Sequence, residues 1–234
     1  MILDLSNQNL TRIEVEGNLL RYYRGDEIIQ VCSLENVTSL NCSDNQLTSL
    51  PDTLPKKLKT LWCSTKQLTS LPHTLHRSLK TLECSNDQLT SLPDTLPEGL
   101  KTLACSSNQL TSLPDTLPEG LKTLYCSVNQ LTNLPDILPG GLETLQCFNN
   151  RLTSLPDTLP GGLETLWCYN NPLKYVPFFS KRPKYLLVPK EFKKKHSVKR
   201  YSEYYEKQQL NRYLLQLFFS EMRFSEDFLE FQLE

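Results

Sequence analysis

The sequence predicts a solenoid, in which a short unit of chain repeats along one axis and its strands form one parallel sheet. Three observations carry this prediction. Seven of the eight cysteines follow one another at intervals of 21 residues, from Cys42 to Cys168. Leucines keep fixed offsets from each cysteine, and the second half of each unit is rich in proline. Self-similarity at a period of about 20 to 50 residues is typical of repeat architectures.

The strand of the unit is clearest in the copy at residues 100–120. Leu103 and Cys105 lie two residues apart, so both point to one face of a short strand, while Ala104 points to the other face. The strand ends at a bend that contains Asn108, whose amide can satisfy backbone groups there. We therefore expect a short strand followed by an asparagine-supported bend in every copy.

The returning half of the same copy contains Pro114 and Pro118. Proline fixes φ and cannot donate to a ladder, so this half is expected to run extended or polyproline-like. Gly120 then closes the turn into the next strand. One unit cannot bury its leucines alone, so the copies must stack, with their strands about 4.8 Å apart.

Aligned on the cysteine, the copies share the pattern L-x-x-L-x-C-x-x-N-x-L, followed by T-S-L-P-D-T-L-P-x-G. This pattern resembles the leucine-rich repeat family, whose signature is L-x-x-L-x-L-x-x-N/C-x-L. The resemblance covers residues 37–173, and Leu3–Leu10 is similar to a lone earlier copy. The short repeat and its L-P-x-x-L-P return resemble those of bacterial type III effectors, and similar cysteine-bearing copies occur in giant-virus proteins. The resemblance implies a curved, right-handed solenoid that binds proteins on its concave face.

An irregular segment, residues 1–36, precedes the regular copies. Within residues 18–31 two apolar runs flank the tetrapeptide RGDE, a pattern that predicts a β-hairpin. The expected role of this segment is to cap the first hydrophobic layer, as solenoids require. The alternative is a hairpin that binds a partner.

Two consecutive copies lack the asparagine of the bend and carry Lys66 and Asp87 at its position. These side chains would stack one strand apart. We therefore predict that they form an ion pair, which replaces the amide ladder locally.

The predicted binding site follows from the outward positions of the strands, which differ between copies. The position between leucine and cysteine varies freely, and the position after the cysteine changes from serine to an aromatic residue in the last two copies. Exposed aromatic side chains on a rigid sheet are typical of interface hot spots. The predicted partner-binding residues are Trp62, Glu83, Tyr125, Gln146, Phe148, Trp167 and Tyr169. In the alternative interpretation, the C-terminal tail folds over the last aromatic residues as a cap.

The cysteines of the repeat are expected to be buried free thiols rather than disulfides or metal ligands. They occupy the inward position that leucine usually takes, and cysteine behaves there as a small hydrophobe. The sequence has no C-x-x-C motif and no cysteine–histidine pairing of the kind that binds zinc. We expect no metal site and no cofactor.

The tail, residues 174–234, differs from the repeats in charge. Residues 1–173 carry 12 basic and 18 acidic side chains, whereas the tail carries 13 basic and 8 acidic ones. The basic segment at residues 181–200 either faces the acidic solenoid or binds nucleic acid or another anionic surface. Apolar spacing from Val198 to Phe218 predicts an α-helical C-terminal cap, which could instead dock a partner helix.

No catalytic motif is present, and the three histidines have no nucleophile at a readable spacing. We therefore predict a non-catalytic, monomeric scaffold that binds an unknown protein partner on its concave face. The alternative function is nucleic-acid or anionic-surface binding through residues 181–200. Neither a secretory signal nor an apolar run of about 20 residues is visible, so the expected location is the cytoplasm, or a host cytoplasm for a viral or effector protein.

Overall fold

The computed structural model describes residues 1–174, 176–177 and 183–189, and every regular element in this part of the chain is a β-strand. The strands are β1 (Ile2–Asp4), β2 (Arg12–Glu16), β3 (Leu19–Arg24), β4 (Glu27–Ser33), β5 (Ser39–Asn41), β6 (Thr60–Trp62), β7 (Thr81–Glu83), β8 (Thr102–Ala104), β9 (Thr123–Tyr125), β10 (Thr144–Gln146), β11 (Thr165–Trp167) and β12 (Tyr185–Leu187). Nine of them form one parallel sheet in the order β1-β5-β6-β7-β8-β9-β10-β11-β12, and β2-β3-β4 form a small antiparallel sheet. The predicted parallel solenoid is confirmed.

The large sheet keeps a single register from copy to copy. Leu40 lies opposite Leu61, and Leu61 lies opposite Leu82, so equal positions of the repeat always face one another. The cysteine after each strand continues the ladder, as Cys105 N donates to the carbonyl of Tyr125 at 2.8 Å. The leucines and cysteines that point inward are fully buried and form one continuous core.

The sheet extends beyond the seven regular copies at both ends. At one end, the predicted lone copy is confirmed, because β1 pairs with β5 and places Leu3 opposite Leu40. At the other end, β12 pairs with β11 and places Leu186 opposite Leu166, only 20 residues later. Strand β12 was not predicted from the sequence, because Val188 stands at the position of the repeat cysteine and the segment before β12 does not follow the L-P-D-T-L-P-x-G pattern.

In each of the seven regular copies, one residue in the left-handed region makes the bend after the strand. In most copies it lies two residues after the cysteine, as at Asn86 (φ 57°) and Asn149 (φ 52°). The asparagine that follows bridges neighbouring copies. In the copy of β8, Asn108 donates to the carbonyls of Cys84 and Cys105 at 2.8 and 3.1 Å and accepts from Leu89 N at 3.0 Å.

The copy of β6 departs from this rule, because its left-handed residue is Lys66 (φ 75°), one position later than elsewhere. Thr65 therefore occupies the buried place of the asparagine and is only 1% exposed. The Lys66 ammonium lies outside and pairs with Asp44 at 3.2 Å. Asp87 instead accepts hydrogen bonds from the backbone and hydroxyl of Thr65 at 3.1 and 3.0 Å. The predicted Lys66–Asp87 ion pair is wrong, since the shifted bend turns the lysine away from the core.

The N-terminal segment forms the predicted hairpin and one strand more. Strands β3 and β4 are antiparallel and place Arg24 opposite Glu27, with Gly25 in the turn at φ 60°. Glycine suits this turn because a two-residue hairpin loop needs a positive φ. Strand β2 pairs with the other edge of β3. Leu20 is fully buried and joins the core of the repeats, so the small sheet packs on the first layers of the solenoid.

The predicted C-terminal helices lie outside the described residues, and so does most of the basic segment at residues 181–200. Within the part of the chain that the structure describes, no helix combines the length and the apolar character that crossing a bilayer requires.

Candidate functional site

The outward position of the strands forms one column across the large sheet. Because the register never shifts, neighbouring members of the column are separated by about 4.8 Å at the backbone. All of them except the buried Ala104 are at least partly exposed. The column consists of Asp4, Asn41, Trp62, Glu83, Ala104, Tyr125, Gln146, Trp167 and Leu187.

Three of the predicted residues make up an aromatic cluster, which we define as Phe148, Trp167 and Tyr169. The rings of Phe148 and Tyr169 are stacked, with centroids 4.7 Å apart and an interplanar angle of 5°. The Trp167 ring lies 6.3 Å from that of Phe148 and is tilted by 49°. All three side chains are partly exposed. The structure thus brings these three predicted residues together on neighbouring copies of the repeat.

Strand β12 extends this surface with two side chains that sequence analysis did not propose. Leu187 lies opposite Trp167 and is 39% exposed, and Tyr185 lies opposite Thr165 and is 50% exposed. The ammonium of Lys184 lies 5.1 Å from the centre of the Tyr185 ring. The available signal was Leu186, which keeps nearly the spacing of the repeat leucines.

Two further predicted residues lie beside the aromatic cluster. Gln146 is opposite both Tyr125 and Trp167, so Tyr125 is two strands, or about 10 Å, from Trp167. Tyr125 is partly exposed, but no ring contact joins it to the cluster within the described residues. Tyr125 and Gln146 therefore form the edge of the aromatic surface rather than its centre.

The remaining predicted residues lie near the other end of the column, where the surface is polar. Trp62 is five strands, or about 24 Å, from Trp167 and lines a concavity of about 450 Å³. Glu83 lies opposite Trp62 on the next strand. The concavity is lined by Ile2, Asp4, Ser6, Asn7, Asn41, Ser43, Asp44 and Trp62.

The carboxylates at this end have local partners. The backbone N–H and the hydroxyl of Ser6 donate to Asp4 at 3.0 and 2.7 Å, and these bonds hold the pKa of Asp4 below its usual value. The predicted site thus divides into a polar region around Trp62 and an aromatic region around Phe148. Small side chains separate the two regions, including the buried Ala104.

Behind the candidate surface, the cysteines of the repeat form a column of buried free thiols. Burial raises the pKa of Cys42, Cys126 and Cys168 to about 12, so these thiols stay protonated at neutral pH. The Cys63 thiol donates to the carbonyl of Glu83 at 3.3 Å. Among the described residues, no group of histidine, cysteine and acidic side chains has an arrangement that could hold a metal ion.

Comparisons with known proteins agree with the fold and the repeat. The family model described as Leucine Rich Repeat matches residues 36–56. YopM, a leucine-rich effector protein from Yersinia pestis, is 28% identical over 81% of this chain and 57% of its own, with a TM-score of 0.58. YopM from Yersinia enterocolitica is 31% identical over 67% of this chain and 38% of its own, with a TM-score of 0.51.

A leucine-rich repeat domain of a Shigella effector is 34% identical over 58% of this chain and 52% of its own, with a TM-score of 0.42. This chain therefore spans 38 to 57% of the length of the three solved structures. No curated protein sequence matches it significantly.

The chain is therefore a leucine-rich repeat solenoid, built from the 21-residue copies that the sequence predicts. Its repeats are similar to those of the bacterial effector YopM. Leucine-rich repeat proteins similar to these effectors are typically protein-interaction scaffolds.

Proposed function

We propose that this protein is a non-catalytic scaffold that binds a partner protein on the concave face of its solenoid, with the aromatic cluster as the anchor. The stacking of Phe148 on Tyr169, beside Trp167, is the observation that carries the proposal. Large aromatic side chains dominate the energetics of protein interfaces, and binding hot spots are enriched in tryptophan and tyrosine.

The backbone beneath the cluster favours this role, because hydrogen bonds tie the copies that contribute the three rings to each other. Cys147 N donates to the carbonyl of Trp167 at 2.8 Å, and Asn149 N donates to that of Tyr169 at 3.1 Å. The amide of Asn150 donates to the Phe148 carbonyl at 3.3 Å. A surface that is already ordered loses little conformational entropy when a partner binds.

A partner suited to this surface presents apolar or aromatic side chains of its own. The cluster continues onto Leu187 and Tyr185, which add apolar area on the neighbouring strand. Full burial of each aromatic side chain removes about 150–250 Å² from water, so the cluster can anchor an interface of ordinary size. The likeness to YopM, a leucine-rich effector, supports an effector-like scaffold that acts inside a cell.

The test is an affinity capture from cell lysate with the full chain, followed by a binding titration with the captured protein. We expect Trp167→Ala combined with Tyr169→Ala to abolish capture of the partner. Ile137→Ala is the control, because Ile137 is an apolar side chain that is 83% exposed in the returning half of a copy. Retention of the partner by the double variant, or equal loss in the control, would contradict the proposal.

Trp62→Ala distinguishes the two regions of the predicted site. If the partner spans the whole concave face, Trp62→Ala also weakens binding. If the partner contacts only the aromatic cluster, Trp62→Ala binds the partner as tightly as the wild type does. The chain has two tryptophans, so Trp62→Phe also leaves Trp167 as the sole tryptophan fluorophore for the titration. A shift of its emission on binding would locate the partner at the cluster.

The alternative interpretation, a tail that covers the aromatic residues, is tested in the same assay with a chain that ends at residue 189. Stronger capture by the shortened chain would show that the tail competes for the surface. Nucleic-acid or anionic-surface binding through residues 181–200 remains a prediction, since that segment lies largely outside the described residues.

A further inference from the structure

A row of lysines lines the edge of the large sheet at which its strands begin. Each lysine directly precedes a strand, and the row contains Lys59, Lys80, Lys101 and Lys122. Backbone hydrogen bonds hold the row in register, since Lys80 N donates to the Lys59 carbonyl at 2.7 Å and Lys101 N to the Lys80 carbonyl at 2.8 Å. Successive lysines are therefore one strand apart, or about 4.8 Å.

The lysine side chains run along the stack of copies rather than away from it. The ammonium groups of Lys80, Lys101 and Lys122 each reach the turn of the next copy, where a glycine leaves room for them. A Cβ added to Gly120 would lie 2.7 Å from the Nζ of Lys101, and one added to Gly99 would collide with the Nζ of Lys80. These glycines have no positive φ, so the space for the lysine, not the backbone conformation, explains their small size.

Three more cations lie in the turns before the first two lysines. Leu58 N donates to the carbonyl of Pro55 at 2.9 Å, which places Lys56 and Lys57 at the centre of a tight turn. The same turn in the next copy contains Arg77. We define the basic edge as Lys56, Lys57, Lys59, Arg77, Lys80 and Lys101, all of which are exposed.

The basic edge is not neutralised within the described residues. Lys122 ends the row because its ammonium pairs with Glu143 at 2.7 Å, and the lysine position then becomes Glu143 and Glu164. No ion pair in the described part of the chain involves any of the six cations of the basic edge. A dense row of unpaired cations attracts polyanions, even though residues 1–173 carry more acidic than basic side chains.

We propose that the basic edge binds a linear chain of phosphate groups, from nucleic acid or from inorganic polyphosphate. Because the lysines lie on one line about 4.8 Å apart, several of them can contact the phosphates of one extended chain at the same time. Threonine hydroxyls follow the lysines at positions 60, 81 and 102 and provide further donors.

The chemistry of the edge favours phosphate over other anionic partners. Its segments, residues 55–60, 76–81 and 97–102, contain no phenylalanine, tyrosine or tryptophan. The planar groups available for stacking on bases are limited to His76 and Arg77, so recognition rests mainly on backbone charge. An acidic protein segment would also need apolar contacts, which the exposed side chains of this edge do not supply. This surface is separate from the aromatic cluster, so the proposal does not depend on the proposed function.

The test measures binding of the full chain to a fluorescein-labelled 20-nucleotide oligouridine by anisotropy, at low and moderate salt. The test variant is Lys59→Gln/Lys80→Gln/Lys101→Gln. Its matched control is Lys66→Gln/Arg151→Gln/Lys174→Gln, which removes the same charge from exposed positions elsewhere. We expect the test variant to bind at least tenfold more weakly and the control less than threefold more weakly. The slope of log affinity against log salt should become shallower by about two, at about 0.7 for each phosphate that the variant no longer neutralises.

Calorimetric titration with inorganic polyphosphate distinguishes the two sources. Binding of both probes with the same loss in the test variant assigns the edge to phosphate chains in general, and binding of polyphosphate alone assigns it to the inorganic polymer. The proposal is overturned if neither probe binds or if test and control variants bind equally. It is also overturned if polyglutamate of equal charge displaces the probe at the same concentration as polyphosphate. The same holds if the variant Lys193→Gln/Lys194→Gln/Lys195→Gln by itself abolishes binding. An unchanged melting temperature of the test variant excludes misfolding.

Discussion

At the scale of single residues, one copy of the repeat buries a polar atom that lacks a hydrogen-bond partner among the described residues. Asp87 occupies the place of the ladder asparagine and is only 7% exposed. Its Oδ1 accepts from Thr65 and from Leu68 N, but its Oδ2 is buried and has no hydrogen-bond partner in the described part of the chain. In other copies, the equivalent atom is an amide nitrogen that donates to carbonyls, as in Asn108. Burial raises the pKa of Asp87 because the carboxylate is desolvated there.

We expect Asp87→Asn to raise the free energy of unfolding at pH 7 by about 1–3 kcal/mol, because the new amide can donate to the equivalents of the two carbonyls that Asn108 contacts. The folded-state pKa of Asp87 lies above the ordinary value of 3.8, so the folded chain holds this proton more tightly than the unfolded chain does. The contribution of Asp87 to stability therefore falls as pH rises from about 3.8 through the raised pKa.

Urea unfolding at pH 4 and pH 7 measures both effects. The gain from Asp87→Asn should be larger at pH 7 than at pH 4. Asp94→Asn, an exposed substitution with the same change of charge, is the control and should alter stability little. A variant that is less stable than the wild type at pH 7 would show that the carboxylate is well accommodated.

Val128 is the second residue whose chemistry conflicts with its place in the fold. It has φ 55°, and it is the one β-branched residue with a positive φ in the described part of the chain. Branching at Cβ makes this conformation unfavourable, whereas asparagine, found at the equivalent Asn149, tolerates it. We expect Val128→Asn to stabilise the protein by about 1 kcal/mol in urea unfolding. Val128→Thr keeps the branching and should give no comparable gain; equal gains in both variants would argue against backbone strain.

At the scale of elements, three-residue strands form a stable sheet because the bend after each strand is tied to its neighbours. Asn150 donates to the carbonyls of Cys126 and Cys147 at 3.0 and 3.1 Å and accepts from Leu131 N at 3.0 Å. These bonds link two copies as well as closing the bend of one. The third carbonyl that Asn150 contacts belongs to Phe148, so the ladder also positions the aromatic cluster.

Asn150→Ala should lower the free energy of unfolding by about 1–3 kcal/mol, because it leaves buried carbonyls and one N–H without partners. Chemical denaturation followed by circular dichroism measures the loss. Asn133→Ala removes an exposed asparagine from the same half of the solenoid and should have little effect. Equal stability of the two variants would mean that water replaces the Asn150 amide at no cost.

At the scale of the whole molecule, one core runs through all the copies, and the reactivity of its cysteine thiols measures whether that core opens. Seven cysteines are buried in that core and only Cys32, in β4, is partly exposed. Burial also raises the pKa of these thiols, so they stay protonated. Disulfide reagents react with the thiolate, so the lack of solvent access and the lack of ionisation both protect these cysteines.

We expect a colorimetric disulfide reagent to titrate at most one thiol per chain in the native protein and all eight in denaturant. Cys32→Ser should remove the native reaction without changing the number of protected thiols. Rapid native reaction of two or more thiols would indicate that copies open independently of the rest of the solenoid.

Three surfaces that differ in chemistry lie at different places on the molecule. The aromatic cluster lies on the outward face of the last strands, the polar concavity lies around Trp62, and the basic edge follows the strand starts of the first copies. Because the strands of all copies keep the same register, the repeat presents different side chains at equal positions without altering the sheet. Substitutions in one surface should therefore leave the other two intact.

Sequence alone determined the solenoid, its register and the column that contains Trp62, Tyr125 and Trp167. Identical units can only stack with one offset, since any slip would expose the leucines, and this constraint is visible in the 21-residue period. The hairpin turn at Gly25 could also be predicted, because it depends on local backbone preference.

Tertiary structure alone decided the points at which the period fails or at which neighbouring copies meet. Some features depend on which backbone groups a neighbouring copy leaves without a hydrogen-bond partner. These features are the shift of the bend to Lys66, the burial of Thr65 and the buried oxygen of Asp87 that has no partner. Strand β12 forms because the open edge of β11 accepts a segment with only approximate spacing. Those hydrogen-bonding needs arise only after the copies have stacked, so no single copy of the repeat contains them.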